Sequence, residues 1–316
     1  MKIGVIGCGR WGSFIGWYLH KIGHEVVLYG RSGSERMRTL KETRHNGRLR
    51  LSEEIVLTHS LAQVLAQELL VISIGAQGLR QLMEEIRPRE RPRKTWILCM
   101  KGLEIGTGKR LTEIMGEYTE DPVGVWIGPG HVQEFVQGIP NCMVIDSDHP
   151  EVKEEVVGAF SSDLIRFYYG TDLIGNELGA AAKNVIGIAA GMLDGLSRSS
   201  LKGALMSRGT REIARLIRAM GGDERSAYGL CHLGDYEATV FSQYSHNRRY
   251  GELLVRGEAF RNLAEGHDTV KGLLLLSERC GCTMPICTAV DQVIYRGADP
   301  LETLEGLFSR SLKKEF

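Results

Sequence analysis

The chain has no charge excess: 39 Lys and Arg residues are matched by 39 Asp and Glu, for a formal net charge of zero. Non-specific attachment to nucleic acid or to an acidic membrane surface needs a positive surplus or a basic stripe, so neither kind of partner is expected. No run reaches the eighteen or so uninterrupted apolar residues of a membrane-spanning helix, which excludes membrane insertion. The N-terminal stretch is also a poor secretory signal. Met1-Lys2-Ile3-Gly4-Val5-Ile6-Gly7 has one basic residue and then turns into glycines, so it reads as a buried strand, and a cytoplasmic location is the expectation. Cysteines are few, odd in number and mostly embedded in apolar runs (8, 99, 142, 231, 280, 282 and 287), which argues against a disulfide framework and for reduced thiols. Cys280-Gly281-Cys282 with Cys287 is the single cluster with metal-like spacing. Without a second close pair or a nearby histidine it reads as small buried residues, and no metal is expected.

Glycine, by contrast, is abundant at 39 of 316 residues, against a usual share of about 7%. The length suits about two domains, and 43% hydrophobic with 25% charged residues is the composition of a folded protein. Apolar runs at residues 2–6, 25–29, 55–57, 69–74, 96–100, 123–127 and 142–145 are continuous rather than alternating, which predicts strands covered on both faces in a parallel sheet flanked by helices. Beyond about residue 170 helical spacing takes over, with helices expected over 173–190, 201–220, 251–263, 270–280, 288–296 and 301–313. The expected division is therefore an α/β domain over 1–170 and an all-helical domain over 171–316, with Asp172 placed to cap the first helix of the second.

The glycines concentrate where chemistry is plausible. Gly7-Cys8-Gly9-Arg10-Trp11-Gly12 lies between the first strand and the first helix, the context in which a glycine triplet is a dinucleotide-binding turn. Gly7 permits the turn, Gly9 clears the approach of a pyrophosphate, Gly12 allows close helix–strand packing, and the helix N-terminus offers its N–H groups. A packing turn is the competing reading. At the end of the second strand stands Tyr29-Gly30-Arg31-Ser32, with no carboxylate for a ribose 2′-hydroxyl and with Arg31 available to a 2′-phosphate. NADP(H) or NAD(H) is thus the expected cofactor, with NADP(H) favoured; a solvated Arg31 is the alternative.

Three further segments set ionisable residues in apolar or glycine-rich surroundings. Lys101 ends the apolar run at 96–100, on the carboxyl edge where such sheets bind ligands. Lys183 lies in a helix otherwise made of Ala, Val, Ile and Gly, and a desolvated lysine serves as general acid or base near neutrality. Asp235, Thr239 and Ser245-His246-Asn247-Arg248-Arg249 supply a carboxylate and donors around an apparent helix start. A snorkelling lysine and a capping aspartate are the structural alternatives.

Taken together these segments resemble, over essentially the whole chain, the bacterial type of NAD(P)-dependent glycerol-3-phosphate dehydrogenase. The likeness runs through Gly7 to Gly12, Lys101-Gly102-Leu103-Glu104, Gly128-Pro129-Gly130-His131, Glu177-Leu178-Gly179 with Lys183-Asn184-Val185-Ile186, Gly234-Asp235, Asn247-Arg248-Arg249 and Glu265-Gly266. It implies a Rossmann-type doubly wound sheet followed by a helical domain like the C-terminal one of 6-phosphogluconate dehydrogenase. It also implies reversible hydride transfer between NAD(P)H and dihydroxyacetone phosphate, giving sn-glycerol 3-phosphate for phospholipid synthesis, in a homodimer of the family type. By the same likeness Lys183 is the proton donor and acceptor, Lys101 adds positive potential, and Asp235 orients Lys183 and binds a substrate hydroxyl. Thr239, Asn184, Gly128, Gly130, Ser245, His246 and Asn247 surround the substrate. Gly7, Gly9, Arg10, Trp11, Gly12, Arg31, Lys101, Val132 and Glu265 would contact the cofactor. His246 stands where the family has an arginine for the substrate phosphate, so a protonated His246, Arg248 or Arg249 would take that contact, or the substrate differs. Arg10 replaces a small residue of the glycine loop, and Asp268 a basic one. The alternatives are a related dehydrogenase acting on another small hydroxy compound and a non-catalytic nucleotide-binding protein.

Overall fold

A computed structural model of the chain describes residues 1–87 and 93–309. In chain order the elements are β1 (Lys2–Ile6), α1 (Arg10–Lys21), β2 (Glu25–Tyr29), α2 (Glu35–Thr43), β3 (Val56–Thr58), α3 (Leu61–Leu65), β4 (Leu69–Ile72), α4 (Leu79–Ile86), β5 (Thr95–Leu98), α5 (Leu111–Gly116), β6 (Val123–Ile127), α6 (Val132–Val136), β7 (Asn141–Ser147), α7 (Pro150–Phe160), β8 (Ile165–Tyr169), α8 (Leu173–Gly195), α9 (Lys202–Ala219), α10 (His246–Val255), α11 (Glu265–Cys280), α12 (Pro285–Arg296) and α13 (Pro300–Gly306). They form two compact units: Met1–Lys101 with Arg110–Leu173, and Gly102–Lys109 with Ile174–Phe316. No helix among the described residues is long and apolar enough to cross a membrane.

The first unit is one eight-stranded sheet in the order β3-β2-β1-β4-β5-β6-β7-β8. Its first six strands follow the doubly wound order, so β1 and β4 lie side by side at the switch point where such sheets open a crevice for ligands. The strands form because their apolar runs are covered on both faces: β4 is buried throughout, and Trp96, Trp126, Phe14, Phe135 and Phe160 fill the layers beside the sheet. The buried Tyr18 hydroxyl donates to the Phe160 carbonyl, and burial raises its pKa to about 12. Two features depart from the sequence expectation. β7 runs antiparallel to β6, because the connection contains only the five-residue α6, about 7 Å long, which is too short to carry the chain back for a parallel crossover. β8 was not foreseen. Its buried Ile165 and Phe167 alternate with exposed Arg166 and Tyr168, as suits an edge strand with one covered face rather than a continuous apolar run.

The second unit is helical and is built on α8. Residues 178 to 193 of this helix are buried on every side, so it forms the axis of the core rather than an amphipathic cover. α8 and α10 approach to backbone contact. A Cβ on Gly191 would fall 1.8 Å from the Arg248 carbonyl oxygen, and one on Gly251 would fall 2.1 Å from that of Ile188. α10 begins earlier than the periodicity suggested, at His246, where the Ser245 hydroxyl accepts from the Arg248 backbone N–H; it stops before Gly257, whose φ is +71°. The expected helix over 251–263 therefore ends at Val255. The last helix is shorter than expected and ends at Gly306; residues 310–313 of that expectation lie outside the described residues. Segment 102–109 joins this unit through Leu103, which is fully buried in the helical core, and through Arg279, which donates to the Thr107 carbonyl at 2.7 Å.

Candidate active site

At the carboxyl end of β1 the chain turns through Gly7 with φ +117°, a conformation open to glycine. A Cβ there would lie 2.1 Å from the Ser73 carbonyl oxygen, just beyond β4, and one on Gly12 would lie 1.9 Å from the Gly7 carbonyl oxygen. Both glycines are thus required by the close packing of loop, strand and helix. Gly9 differs, since its missing Cβ faces only the Arg36 guanidinium at 3.6 Å. It is also the N-cap of α1 and provides no side-chain cap. The first N–H groups of a twelve-residue helix and its positive dipole end therefore face a position cleared of side chains, which fits a pyrophosphate.

The surroundings of this loop are basic. Half-buried Arg10 has its pKa lowered by desolvation and then by the nearby Arg48 and Arg36 guanidiniums. Arg31 is exposed, with a guanidinium nitrogen 3.9 Å from where a Cβ of Gly78 would stand. Arg36 and Arg48 escaped the sequence reading because neither belongs to the glycine motif; Arg36 belongs to the first turn of α2 and Arg48 to the loop that follows. Trp11 packs its ring on Phe14 and Phe135 at centroid distances of 5.0 and 6.2 Å, and Val132 opens α6 as a buried residue. On that same short helix both ends of the Gln133 carboxamide are buried with no hydrogen-bond partner, a costly state that a ligand's polar group would relieve. Lys101, half-buried past the end of β5, donates from Nζ to the Gly128 carbonyl at 2.6 Å. Gly128 and Gly130 both have positive φ, at +130° and +145°.

In the helical unit Lys183 lies 2.5 Å from Asp235 Oδ2 and donates to Thr239 Oγ1 at 2.9 Å. Side-chain exposure is 8% for the lysine and 1% for the aspartate, so this pair is withdrawn from solvent. Asp235 ends a short 3-10 turn, and Thr239 sits in a single π-helical turn over Glu237–Phe241. Turns of that kind widen the helix locally and recur at functional sites. Beside them Asn247 links three helices: its Nδ2 donates to Asn184 Oδ1 at 3.0 Å, and its Oδ1 accepts from the Gly266 N–H at 2.9 Å. That second bond serves the start of α11, where Ala264 has no side chain able to cap, and Glu265 is the first helical residue.

His246 opens α10 and donates from Nδ1 to the Leu263 carbonyl at 3.1 Å, its ring edge-on to Phe260. The guanidinium of Arg248, one of the expected substitutes for a phosphate-binding arginine, is instead held by Asp194 at 2.7 Å, by Glu252 at 3.4 Å and by the Ser242 carbonyl at 3.1 Å. Lys202 shares Asp194 at 2.7 Å and also donates to the Val240 carbonyl, so the ion cluster steadies the π-helical turn. Arg248 is correspondingly part of the scaffold. Arg249 pairs with Glu252 at 3.0 Å but is 44% exposed. None of the seven cysteines is joined in a disulfide, and no group of three or more metal-binding side chains occurs among the described residues.

Comparison with known proteins gives concordant matches along the chain. Residues 2–153 match the family model described as the N-terminus of NAD-dependent glycerol-3-phosphate dehydrogenase, and residues 172–305 match the corresponding C-terminus. A glycerol-3-phosphate dehydrogenase [NAD(P)+] of Thermotoga sp. is 35% identical, with 100% of this chain and 99% of the relative covered. The enzyme of the same name from Thermoanaerobacter sp. is 33% identical at the same coverages. Among solved structures, the glycerol-3-phosphate dehydrogenase of Coxiella burnetii shares the fold, with a TM-score of 0.90, 24% identity, and 98% of this chain and 99% of that chain covered.

Proposed function

The chain belongs to the NAD-dependent glycerol-3-phosphate dehydrogenase family, and we propose on that footing that it interconverts dihydroxyacetone phosphate and sn-glycerol 3-phosphate with NAD(P)(H). The observation that carries the reading is the buried Lys183–Asp235–Thr239 constellation, in a chain that also holds a glycine loop shaped for a pyrophosphate. A bound nicotinamide supplies the hydride that reduces C2 of the ketone. Lys183 gives its proton to the C2 oxygen as charge develops there and recovers one in the reverse direction. Asp235 pairs with the ammonium and orients it, and Thr239 fixes a second of its N–H directions. Lys101 adds positive potential toward the developing alkoxide. The N-terminus of α10, with Ser245, His246 and Asn247, takes the substrate phosphate, and Asn184 supports the site. Gly128 and Gly130 border the substrate.

Gly7, Gly9, Gly12, Trp11, Val132 and Glu265 hold the rest of the cofactor in this reading. Arg31 together with Arg10, Arg36 and Arg48 favours NADP(H), since a 2′-phosphate relieves the repulsion among guanidiniums gathered at one end of the sheet. The first unit then serves as the NAD(P)-binding domain and the helical unit as the substrate domain. The enzyme works as a cytoplasmic homodimer and supplies glycerol 3-phosphate for membrane lipids.

The test is NADPH and NADH oxidation with dihydroxyacetone phosphate beside unphosphorylated dihydroxyacetone. Selective turnover of the phosphorylated ketone is expected, and none with either cofactor, from protein shown to be folded, would refute the assignment. Lys183→Ala should lose about 100-fold or more in kcat while retaining NADPH binding. A near-normal rate in that variant would remove Lys183 from its role.

A further inference from the structure

Three residues before Asp235 lies a histidine that the chemistry above does not use. His232 is fully buried. Its Nδ1 is 2.9 Å from the Gly179 carbonyl oxygen and its Nε2 is 2.7 Å from the Tyr236 hydroxyl. A carbonyl only accepts, so the ring proton is on Nδ1; Nε2 is then an acceptor, and Tyr236 donates to it. The partners fix the tautomer. Burial lowers the imidazole pKa to about 4, which keeps the ring neutral around pH 7.

Both helices flanking this pair present a glycine to it. A Cβ on Gly179 of α8 would stand 3.0 Å from the His232 Cβ, and one on Gly209 of α9 would stand 3.2 Å from the Tyr236 hydroxyl oxygen. Gly179 lies one helical turn before Lys183, so its carbonyl is also the ladder acceptor for the Lys183 N–H. At its other end His232 begins the turn that carries Asp235, whose backbone N–H donates to the His232 carbonyl at 3.0 Å. One imidazole thereby ties the turn bearing the carboxylate to the turn bearing the ammonium.

We propose that His232 and Tyr236 are positioning residues that hold Asp235 and Lys183 in register for proton transfer, taking no proton from the substrate themselves. The proposal rests on Lys183 being the proton-transfer group. The charged groups facing the ring are Lys183 on α8 and Asp235 in its own turn, and Glu212 on α9 acts on Tyr236. Slackening the tie alters the separation of lysine and carboxylate, and with it the field at the group that exchanges the proton with substrate.

The test compares the wild type with Tyr236→Phe, His232→Ala and His232→Gln, measuring kcat and KM for dihydroxyacetone phosphate from about pH 5.5 to 9.5. His232→Ala is expected to lose about tenfold or more in kcat with KM changed less than about twofold, and its pH–kcat profile should be displaced. His232→Gln, whose amide can donate to the Gly179 carbonyl, should recover most of the rate. Tyr236→Phe should fall between them. Wild-type kcat and an undisplaced profile in folded His232→Ala would overturn the proposal; if that variant does not fold, Tyr236→Phe, which loses a single oxygen, decides on the same criterion. Should the wild type itself fail to turn over the ketone, the catalytic reading is what fails. The tie is then judged by the pH dependence of Lys183 acetylation read by mass spectrometry, where identical profiles for wild type and Tyr236→Phe would overturn it.

Discussion

Lys183 carries its ammonium into a helix whose neighbouring residues are Ala181, Ala182, Val185 and Ile186, all fully buried, and Asp235 is what makes that tolerable. Removing water from two ions costs about as much as their attraction returns, whereas breaking such a pair leaves one charge uncompensated. Asp235→Ala is therefore expected to destabilise the protein by about 3–5 kcal/mol in urea unfolding, and the double change Lys183→Met with Asp235→Leu should recover most of that stability without activity. Equal stability of Asp235→Ala and wild type would mean that the pair is not buried in solution. His232 makes a second prediction at this scale. Its pKa is depressed from 6.5 to about 4 in the folded state, so the unfolded chain binds the proton more readily. The associated stability is fully present above pH 6.5 and is lost as pH falls from there toward 4, by about 3 kcal/mol in all. A pH series of denaturant midpoints should show this acid slope in the wild type and a shallower one in His232→Gln. Of these residues Lys183 and Asp235 were legible in the sequence as ionisable groups in apolar or glycine-rich settings. His232 was not, because a buried histidine is distinguished only by partners that folding brings to it.

Among the elements, the short ones separate what pattern can reveal from what it cannot. The strands from β1 to β6 announce themselves as continuous apolar runs, since both faces are covered. β8 alternates, and the direction of β7 depends on the length of a connecting helix rather than on any property of the strand. The start of α10 is set by one serine cap and its end by one glycine, so apolar spacing alone misplaced it toward the C-terminus. The first turn of α2 holds Arg36 near Gly9, and this placement generates a prediction about the cofactor. Arg36→Ala should raise the NADPH dissociation constant about tenfold, equivalent to ~1.4 kcal/mol, and that of NADH less than about twofold. Equal weakening of both cofactors, measured by fluorescence titration, would separate Arg36 from the 2′-phosphate.

At the scale of the whole molecule the division of the chain does not follow the order of the sequence. Segment 102–109 leaves the first unit directly after Lys101, and Leu103 enters the helical core, where it is fully buried and lies 2.9 Å from the position a Cβ of Gly272 would take. Leu103→Ala should consequently destabilise the helical unit by about 2–5 kcal/mol, although the residue belongs to the N-terminal third of the chain. Hydrogen exchange would localise the loss: faster exchange in α8 and α11 is expected, and a change confined to β5 and β6 would contradict the assignment.

The sequence by itself determined the period of each long element, the glycine turn after β1, the absence of a membrane-spanning run and the balance of charge. These are local or additive properties, readable from residues near one another. Only the tertiary structure decided that Lys183 meets Asp235 and Thr239, that Arg248 is held by Asp194 and Glu252, that β7 runs antiparallel to β6, and that His232 ties two turns together. Each of those outcomes depends on which distant segments bury their faces against one another. Burial then sets the strength of every charge and hydrogen bond in the site, a quantity that has no value until the chain is folded.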